Sequence, residues 1–156
     1  MKETSKLRKI AFVGDHSPRK CGIATFKMCI RDSSKGGLYA WKQAQSYPEV
    51  ILVEGLFDYA ALWEAGFHNV TCSLGTHLNA RQFRQLCDAP RTVYLTFDAD
   101  GNGSGQQAAQ CLSRRLRERG ITARAVSLPE GHDPNSFFVS GGNAAEFHRL
   151  LEEACL

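Results

Sequence analysis

Short apolar runs alternate with amphipathic stretches along most of the chain. Four runs have the length of strands, about four to eight residues, and strand-forming Val, Thr and aromatic side chains. They are Val50–Val53, Val70–Leu74, Arg91–Phe97 and Ile121–Leu128. Because helical stretches separate them, the pattern predicts an α/β fold with a mostly parallel sheet of about four strands, flanked by helices.

The stretches between these runs have helical spacing. The first of these stretches carries apolar residues at i, i+4, i+7 and i+11, and this helix should end at Gly66 or soon after. Asn79 with Gln82, and Ser104 with Gln107, have the spacing of capping boxes. The apolar positions assigned to the buried sides are Leu56, Ala60, Trp63 and Phe67, then Phe83, Leu86 and Cys87, then Ala108, Cys111, Leu112 and Leu116.

The chain divides into three segments by character. Residues 1–33 are basic and irregular, with a short strand predicted at Ile10–Val13. Residues 34–142 carry the alternating pattern. In residues 143–156 a last helix should begin at Asn143 and bury Phe147, Leu150, Leu151 and Ala154.

Composition narrows the class of protein. A length of 156 residues suits one globular domain, and a net charge of +3 is compatible with a polyanionic partner. The sequence has no apolar run long enough for a membrane span or a signal peptide, so we expect a cytoplasmic protein without a membrane partner. The six cysteines form no C-x-x-C pair, which argues against zinc and favours mostly buried free thiols.

Four acids follow the predicted strands. Glu54 follows the first, Asp98 and Asp100 the third, and Asp133 lies in the loop after the fourth. In an open parallel sheet ligands bind beyond the carboxyl ends of the strands, so these acids should share one edge. Clustered carboxylates repel each other unless a cation neutralises them, and hard oxygen ligands select Mg²⁺ or Mn²⁺ over zinc.

Several residues at the same edge are predicted to face a phosphate. They lie at strand ends or at the glycine-rich start of a helix, where backbone N–H groups point outward. They are Gly55, Gly75, Thr76, Gly103 and Ser104.

Structural interpretations of these side chains stay open. Asp98-Ala99-Asp100 is also a polar turn, and Glu54 and Asp58 are also acids at a helix start. His132 is better explained as a solvated loop residue than as a metal ligand. Arginines at 114, 115, 117, 119 and 124 either solvate a helix or contact a nucleic-acid backbone.

Together, four motifs resemble a Toprim domain. They are V-I-L-V-E-G-L-F-D (50–58), S-L-G-T (73–76), T-F-D-A-D (96–100) and H-D-P-N (132–135), and S-K-G-G-L-Y-A-W (34–41) resembles the lead-in segment of primases. The resemblance covers roughly residues 34–140 and is strongest to primases of bacteria, phages and mobile elements. It implies a Rossmann-like Toprim sheet.

The resemblance also implies roles. Glu54 matches the family's general base or acid, Asp98 and Asp100 its magnesium pair, Asp58 an accessory acid, and Asp133 the acid of the final D-P motif. Two departures stand out: Asn135 occupies the place of a second acid, and the loop 101–105 is longer than in cellular primases.

The implied activity is nucleotidyl transfer on a DNA template, from nucleoside triphosphates and with Mg²⁺ or Mn²⁺. No zinc module or basic subdomain fits before the Toprim segment, so we expect a fragment with little activity alone. A replicative helicase or the other primase domains are the implied partners. Alternatives are a non-catalytic nucleic-acid-binding module and a Toprim nuclease or topoisomerase domain.

The first segment, residues 1–33, does not resemble a primase. Residues 8–26 resemble the start of certain glycosyltransferases, which makes such an enzyme the least favoured alternative. M-C-I-R-D-S at 28–33 resembles translated adapter sequence. This pattern predicts an artificial junction; the other interpretation is a genuine extension that adds an edge strand.

Overall fold

The computed structural model describes residues 36–75, 77–99 and 103–154. In chain order the elements are α1 (Trp41–Ala44), β1 (Glu49–Val53), α2 (Leu56–Glu64), β2 (Val70–Cys72), α3 (Ala80–Leu86), β3 (Thr92–Thr96), α4 (Ser104–Arg117), β4 (Thr122–Ala125), α5 (Pro134–Val139) and α6 (Ala144–Glu152). The predicted strand at Ile10–Val13, the first segment, Thr76 and Asp100 lie outside the described residues.

The four strands form one parallel sheet in the order β2-β1-β3-β4. All four were predicted from their apolar runs, and the α/β class is confirmed. β2, β3 and β4 are shorter than their apolar runs, whereas β1 begins one residue earlier, at Glu49. β1 is the inner strand whose side chains are almost all buried, as expected of a parallel strand covered on both faces.

Alternate residues of β1 enter two separate cores. Val50 and Leu52 pack with α1, α3 and α4 on one face of the sheet. Ile51 and Val53 pack with α2, α5 and α6 on the other face. The two-residue period of a strand thus distributes one apolar run over both helical layers.

Three helix signals were predicted correctly. Asn79 and Gln82 form a capping box at the start of α3. Asn143 caps α6, whose Phe147 and Leu151 are buried. Gly66 follows the end of α2 with a φ of +97°, a conformation that glycine adopts without strain.

Three other predictions were wrong in whole or in part. Of the predicted stripe on α2, Phe67 is buried and Trp63 packs half-buried against the core, but Ala60 is exposed. The buried residues within the helix are Asp58 and Leu62. α2 packs against α5 as well as the sheet, so its buried side is rotated from the predicted stripe. On α4, Cys111 is exposed. Ser104 is the first helical residue of α4; Gly103 caps that helix in the left-handed region without a side-chain hydrogen bond.

A short segment before α1 runs along the outer edge of β2. Tyr39 forms an antiparallel bridge with Cys72, and its N–H donates to the Cys72 carbonyl over 2.9 Å. The hydroxyl of Thr71 donates to the Tyr39 carbonyl over 2.7 Å. Within the described ranges, no helix combines the length and apolarity that crossing a bilayer requires.

Candidate functional site

The topology of the sheet creates a crevice between β1 and β3. From β1 the chain moves to β2 on one side and then crosses to β3 on the other. Loops therefore diverge beyond the carboxyl ends of β1 and β3, the usual ligand position in such sheets. Val53 is paired with Thr96, so Glu54 and Asp98 follow neighbouring strand ends. Both acids are half-buried.

Asp58 lies behind this crevice and is only 6% exposed. Its Oδ2 accepts the Gly55 N–H at 3.0 Å, which closes the first turn of α2. Its Oδ1 accepts the Asn135 N–H at 3.1 Å, from the first turn of α5. One carboxylate thus joins the N-terminal ends of α2 and α5, although Asp58 and Asn135 are 77 residues apart in sequence.

The pKa of Asp58 is raised from 3.8 to about 6, and burial is the largest cause. The negative charges of Asp133 and Asp98 contribute to this rise, and the two backbone N–H groups oppose it. Asp58 therefore interacts electrostatically with Asp133 and Asp98.

Asp133 is the N-cap of α5. It accepts the Ser136 N–H, the Ser136 hydroxyl donates to the Asp133 carbonyl, and Pro134 occupies the first helical position. Asp133 was predicted to lie in a loop, and α5 was not predicted. The signal was present, because Asp before Pro is a common helix start.

Asp98 is held by its backbone neighbours. The adjacent Ala99 donates to the His132 carbonyl over 3.0 Å and accepts the Gly131 N–H at 2.8 Å. Gly105, in the first turn of α4, packs so closely that a β-carbon there would lie 2.4 Å from the Asp98 carbonyl oxygen. The glycine thus permits the helix start to approach the end of β3, a role that the sequence analysis did not assign.

Cys72 is a second contributor that the sequence analysis missed. Its thiol is buried and donates to the Glu54 carbonyl at 3.1 Å. It also accepts the N–H of Leu74 at 3.3 Å, and Leu74 itself is left-handed, with a φ of 60°. Burial raises the pKa of Cys72 to about 12, so the thiol keeps its proton and remains a donor.

The residues predicted to face phosphate differ in their surroundings. The Gly55 N–H is engaged by Asp58. Gly75 is exposed and accepts a hydrogen bond from the Ser73 hydroxyl through its carbonyl. Gly103 is half-buried and Ser104 is exposed at the start of α4. Thr76 lies outside the described part.

The donor chemistry of the edge fits a hard divalent cation. Glu54 and Asp98 supply carboxylate oxygens. The negative charges of Asp133 and Asp98 contribute to the raised pKa of Asp58, so the three carboxyl groups interact electrostatically. Within the described ranges, no three His, Cys, Asp or Glu residues are close enough to form a metal site. Asp100, the predicted partner of Asp98, is outside those ranges.

The other predicted side chains have structural surroundings. The Nδ1 of His132 lies 3.1 Å from the Glu130 carbonyl oxygen. Asn135 is half-buried and contributes its backbone N–H to Asp58. Arg124 donates to the Ala154 carbonyl at 3.2 Å, away from the exposed arginines of α4.

Residues 51–138 match a family model described as Toprim-like. The chain is 32% identical to the DNA primase of Aquifex aeolicus over 143 residues, which is 91% of this chain and 28% of the relative. It is 37% identical to the DNA primase of Clostridium acetobutylicum over 105 residues, 67% of this chain and 17% of the relative. The chain therefore spans less than a third of the length of these relatives.

Solved structures agree with this match. A crystal structure of the zinc-binding and RNA polymerase domains of Aquifex aeolicus primase has a TM-score of 0.63 and 33% identity. The match covers 72% of this chain and 28% of that one. A primase catalytic domain bound to single-stranded DNA has a TM-score of 0.56 and 28% identity. This match covers 71% of this chain and 37% of that one. The family match at residues 51–138 includes Glu54 and Asp98.

Proposed function

This chain belongs to the Toprim-like family, and we propose that it is the metal-dependent nucleotidyl-transfer domain of a DNA primase-type protein. The observation that carries the proposal is the position of Glu54 and Asp98 at the crevice between β1 and β3, where the topology favours ligand binding. The similarity to DNA primases from several bacteria supports the reaction class.

Each acid has a proposed role. Asp98 and Asp100 would hold Mg²⁺ or Mn²⁺. The bound ion would neutralise negative charge on the nucleotide phosphates. Glu54 would take the proton of the attacking hydroxyl, since the thiol of Cys72 and the end of β1 fix its backbone. Asp58 and Asp133 hold the starts of α2 and α5 in place and add negative charge behind the metal pair.

The proposed partners follow from the reaction class. A DNA template and nucleoside triphosphates would be bound at the acidic edge, and the remaining primase domains or a replicative helicase would assist in the cytoplasm. Glycines and the start of α4 (Gly55, Gly75, Thr76, Gly103 and Ser104) would approach the phosphates. Because the chain spans a small part of its relatives, we expect little primer synthesis by the chain alone.

Metal binding is the first test. Calorimetric titration of Mn²⁺ into the full chain should show binding that is at least tenfold weaker in Asp98→Asn. Asp88→Asn is the matched control, because Asp88 is exposed and pairs with Arg91 near the start of β3. Equal affinity of Asp98→Asn and the wild type would contradict the proposed site.

Primer synthesis tests the reaction itself. The chain, supplemented with the remaining domains of a related primase, should extend a primer on a DNA template with Mg²⁺ or Mn²⁺. Glu54→Gln should lower the rate by about 10²- to 10⁴-fold, the usual contribution of a general base, without weakening Mn²⁺ binding. An unchanged rate in Glu54→Gln would remove this residue from the mechanism.

A further inference from the structure

A surface rich in arginine lies on the layer formed by α3 and α4. Its exposed members are Arg81, Arg84, Arg114, Arg115, Arg117 and Arg119. We call this set the arginine face. The acids Glu118 and Asp88 are the exposed negative residues beside it between residues 80 and 99 or 103 and 120. The arginine face therefore has a clear excess of positive charge, in contrast to the acidic edge.

The two helices share this face through a direct contact. The guanidinium of Arg115 on α4 stacks over the ring of Phe83 on α3, 4.7 Å from its centroid. Arg115 and Arg119 also interact electrostatically with the half-buried thiol of Cys87, at the end of α3. The positive charge is thus continuous from one helix to the other.

Two of the guanidinium groups are held in place before any ligand arrives. The stacking on Phe83 orients Arg115 and leaves its N–H edge available. Arg117 donates to the hydroxyl of Ser113 over 2.8 Å. Gln110, Arg114, Arg117 and Glu118 line an open depression beside these groups. Preorientation lowers the entropy lost when a long side chain binds a ligand.

The composition of the arginine face suits an anionic partner. Its members are arginines, whose planar fork donates two parallel hydrogen bonds to a phosphate or a carboxylate group. The proposed function supplies a phosphate-bearing partner. The exposed large apolar side chains among the described residues are Tyr39, Tyr47, Phe57 and Val139, and none is on α3 or α4. A surface without exposed aromatic rings suits contact with a duplex backbone better than stacking with unpaired bases.

We propose that the arginine face binds the phosphate backbone of a nucleic-acid duplex that extends from the acidic edge. α4 starts beside Asp98, and Arg114 and Arg115 follow ten and eleven residues after Ser104. At 1.5 Å per residue this is about 15 Å along the helix, or roughly five steps of a duplex. The inference rests on the proposed function for what occupies the acidic edge.

The exposed Cys111 gives a direct footprint of this surface. It lies three and four residues before Arg114 and Arg115, so all three share one side of α4. Alkylation of Cys111 by N-ethylmaleimide, followed by peptide mass spectrometry, should become several-fold slower when the full chain is mixed with a 20-base-pair DNA duplex. Unchanged alkylation in the presence of bound duplex would overturn the proposal.

Variants test whether the positive charges of individual arginines contribute to duplex binding. Arg114→Gln and Arg115→Gln should each lower the slope of log affinity against log salt by about one, as expected for loss of one phosphate contact. Arg115→Lys should keep most of the slope but lose affinity. Arg149→Gln is the matched control, because Arg149 is also exposed in the last turn of a helix but belongs to α6 on the opposite layer.

Further outcomes separate the partner and the two proposals. Equal slopes for Arg114→Gln, Arg149→Gln and the wild type would overturn the inference, as would tighter binding of oligo(dT) than of duplex. Displacement of duplex by poly-glutamate at the same charge concentration would favour an acidic protein and also overturn it. Mn²⁺ affinity, measured in the same variants, should be unchanged. Its loss in Asp98→Asn tests the acidic edge independently.

Discussion

Asp58 is an acid whose surroundings differ strongly from those of a solvated carboxylate, because it is only 6% exposed. Its pKa of about 6 means that the folded chain binds a proton more tightly than the unfolded chain, in which the pKa is near 3.8. Between about pH 4 and 6 the folded state therefore holds more protons, and the free energy of unfolding contributed by this group falls as pH rises. Above pH 6 the contribution is constant.

Asp58→Asn should remove this pH dependence, because an amide does not titrate in this range. The difference in unfolding free energy between wild type and variant should change by about 2–3 kcal/mol from pH 4 to pH 7. Urea unfolding followed by circular dichroism, in the presence of a metal chelator, measures this difference.

The variant should also lose one backbone acceptor, since an amide oxygen replaces two carboxylate oxygens. This loss is the same at every pH and does not affect the slope. Glu64→Gln, at an exposed position of the same helix, is the control and should follow the wild-type profile. A parallel profile for Asp58→Asn and wild type would exclude the raised pKa.

The sequence was sufficient to place Glu54 and Asp98 after neighbouring strands, but not to predict the surroundings of the acids. Glu54 and Asp98 were predicted from their positions after apolar strands, and this follows from the parallel topology alone. The engagement of Asp58 depends on Asn135, 77 residues away, so local spacing contains no signal for it. Cys72 reads as one more apolar strand residue, and only the fold brings its thiol to the Glu54 carbonyl.

At the scale of elements, helix starts decide how the carboxyl edge is held. The Asn79 side chain accepts from the backbone N–H groups of Arg81 and Gln82 and donates to the Gly36 carbonyl. Gln82 in turn donates to the Ser73 carbonyl over 2.8 Å. The start of α3 is therefore tied to the loop after β2 and to the segment before α1.

Asn79→Ala should destabilise the chain by about 2 kcal/mol, and Asn143→Ala by about 1 kcal/mol. Both lose a side-chain cap of the same kind, at α3 and α6 respectively. Only Asn79 also holds Gly36, which explains the larger value. Thermal unfolding of the two variants measures the difference, and equal losses would show that the additional contact contributes nothing.

Element types were predicted better than element faces. The strands and the Asn79 and Asn143 starts follow from local chemistry, so the sequence was enough. The buried side of α2 was predicted only in part, because α5 also packs on this helix. At α4, Gly105 has to lie close to the Asp98 backbone, and Gly103 supplies the left-handed turn before it. This close approach overrides the Ser104 and Gln107 spacing.

At the scale of the whole molecule, α6 completes the second core. Phe147 is fully buried, with ring centroids 5.0 Å from Phe67 and 5.9 Å from Phe137. Phe67 follows α2 and Phe137 belongs to α5, so the ring of Phe147 joins α6 to both of these regions. Residues 144–152, which the sequence analysis assigned to a separate C-terminal segment, thus share a core with the Toprim sheet.

Phe147→Ala should destabilise the chain by about 3–5 kcal/mol, the usual cost of removing a large ring from a core. The loss should appear as a lower midpoint of a single unfolding transition, because the helix and the sheet share this core. Val139→Ala is the control: its side chain is 79% exposed, and we expect a change within about 0.5 kcal/mol. Separate melting of α6 in the wild type would contradict the shared core.

The segment that runs along β2 has a consequence for handling the protein. β2 is an outer strand of only three residues, and the Tyr39 bridge uses backbone groups that would otherwise face outward. An uncovered strand edge is a template for pairing with another molecule. Shortened versions that start after Tyr39 would therefore expose unpaired backbone groups of β2 and tend to aggregate. Versions that retain residues 36–40 keep the Tyr39 bridge to Cys72.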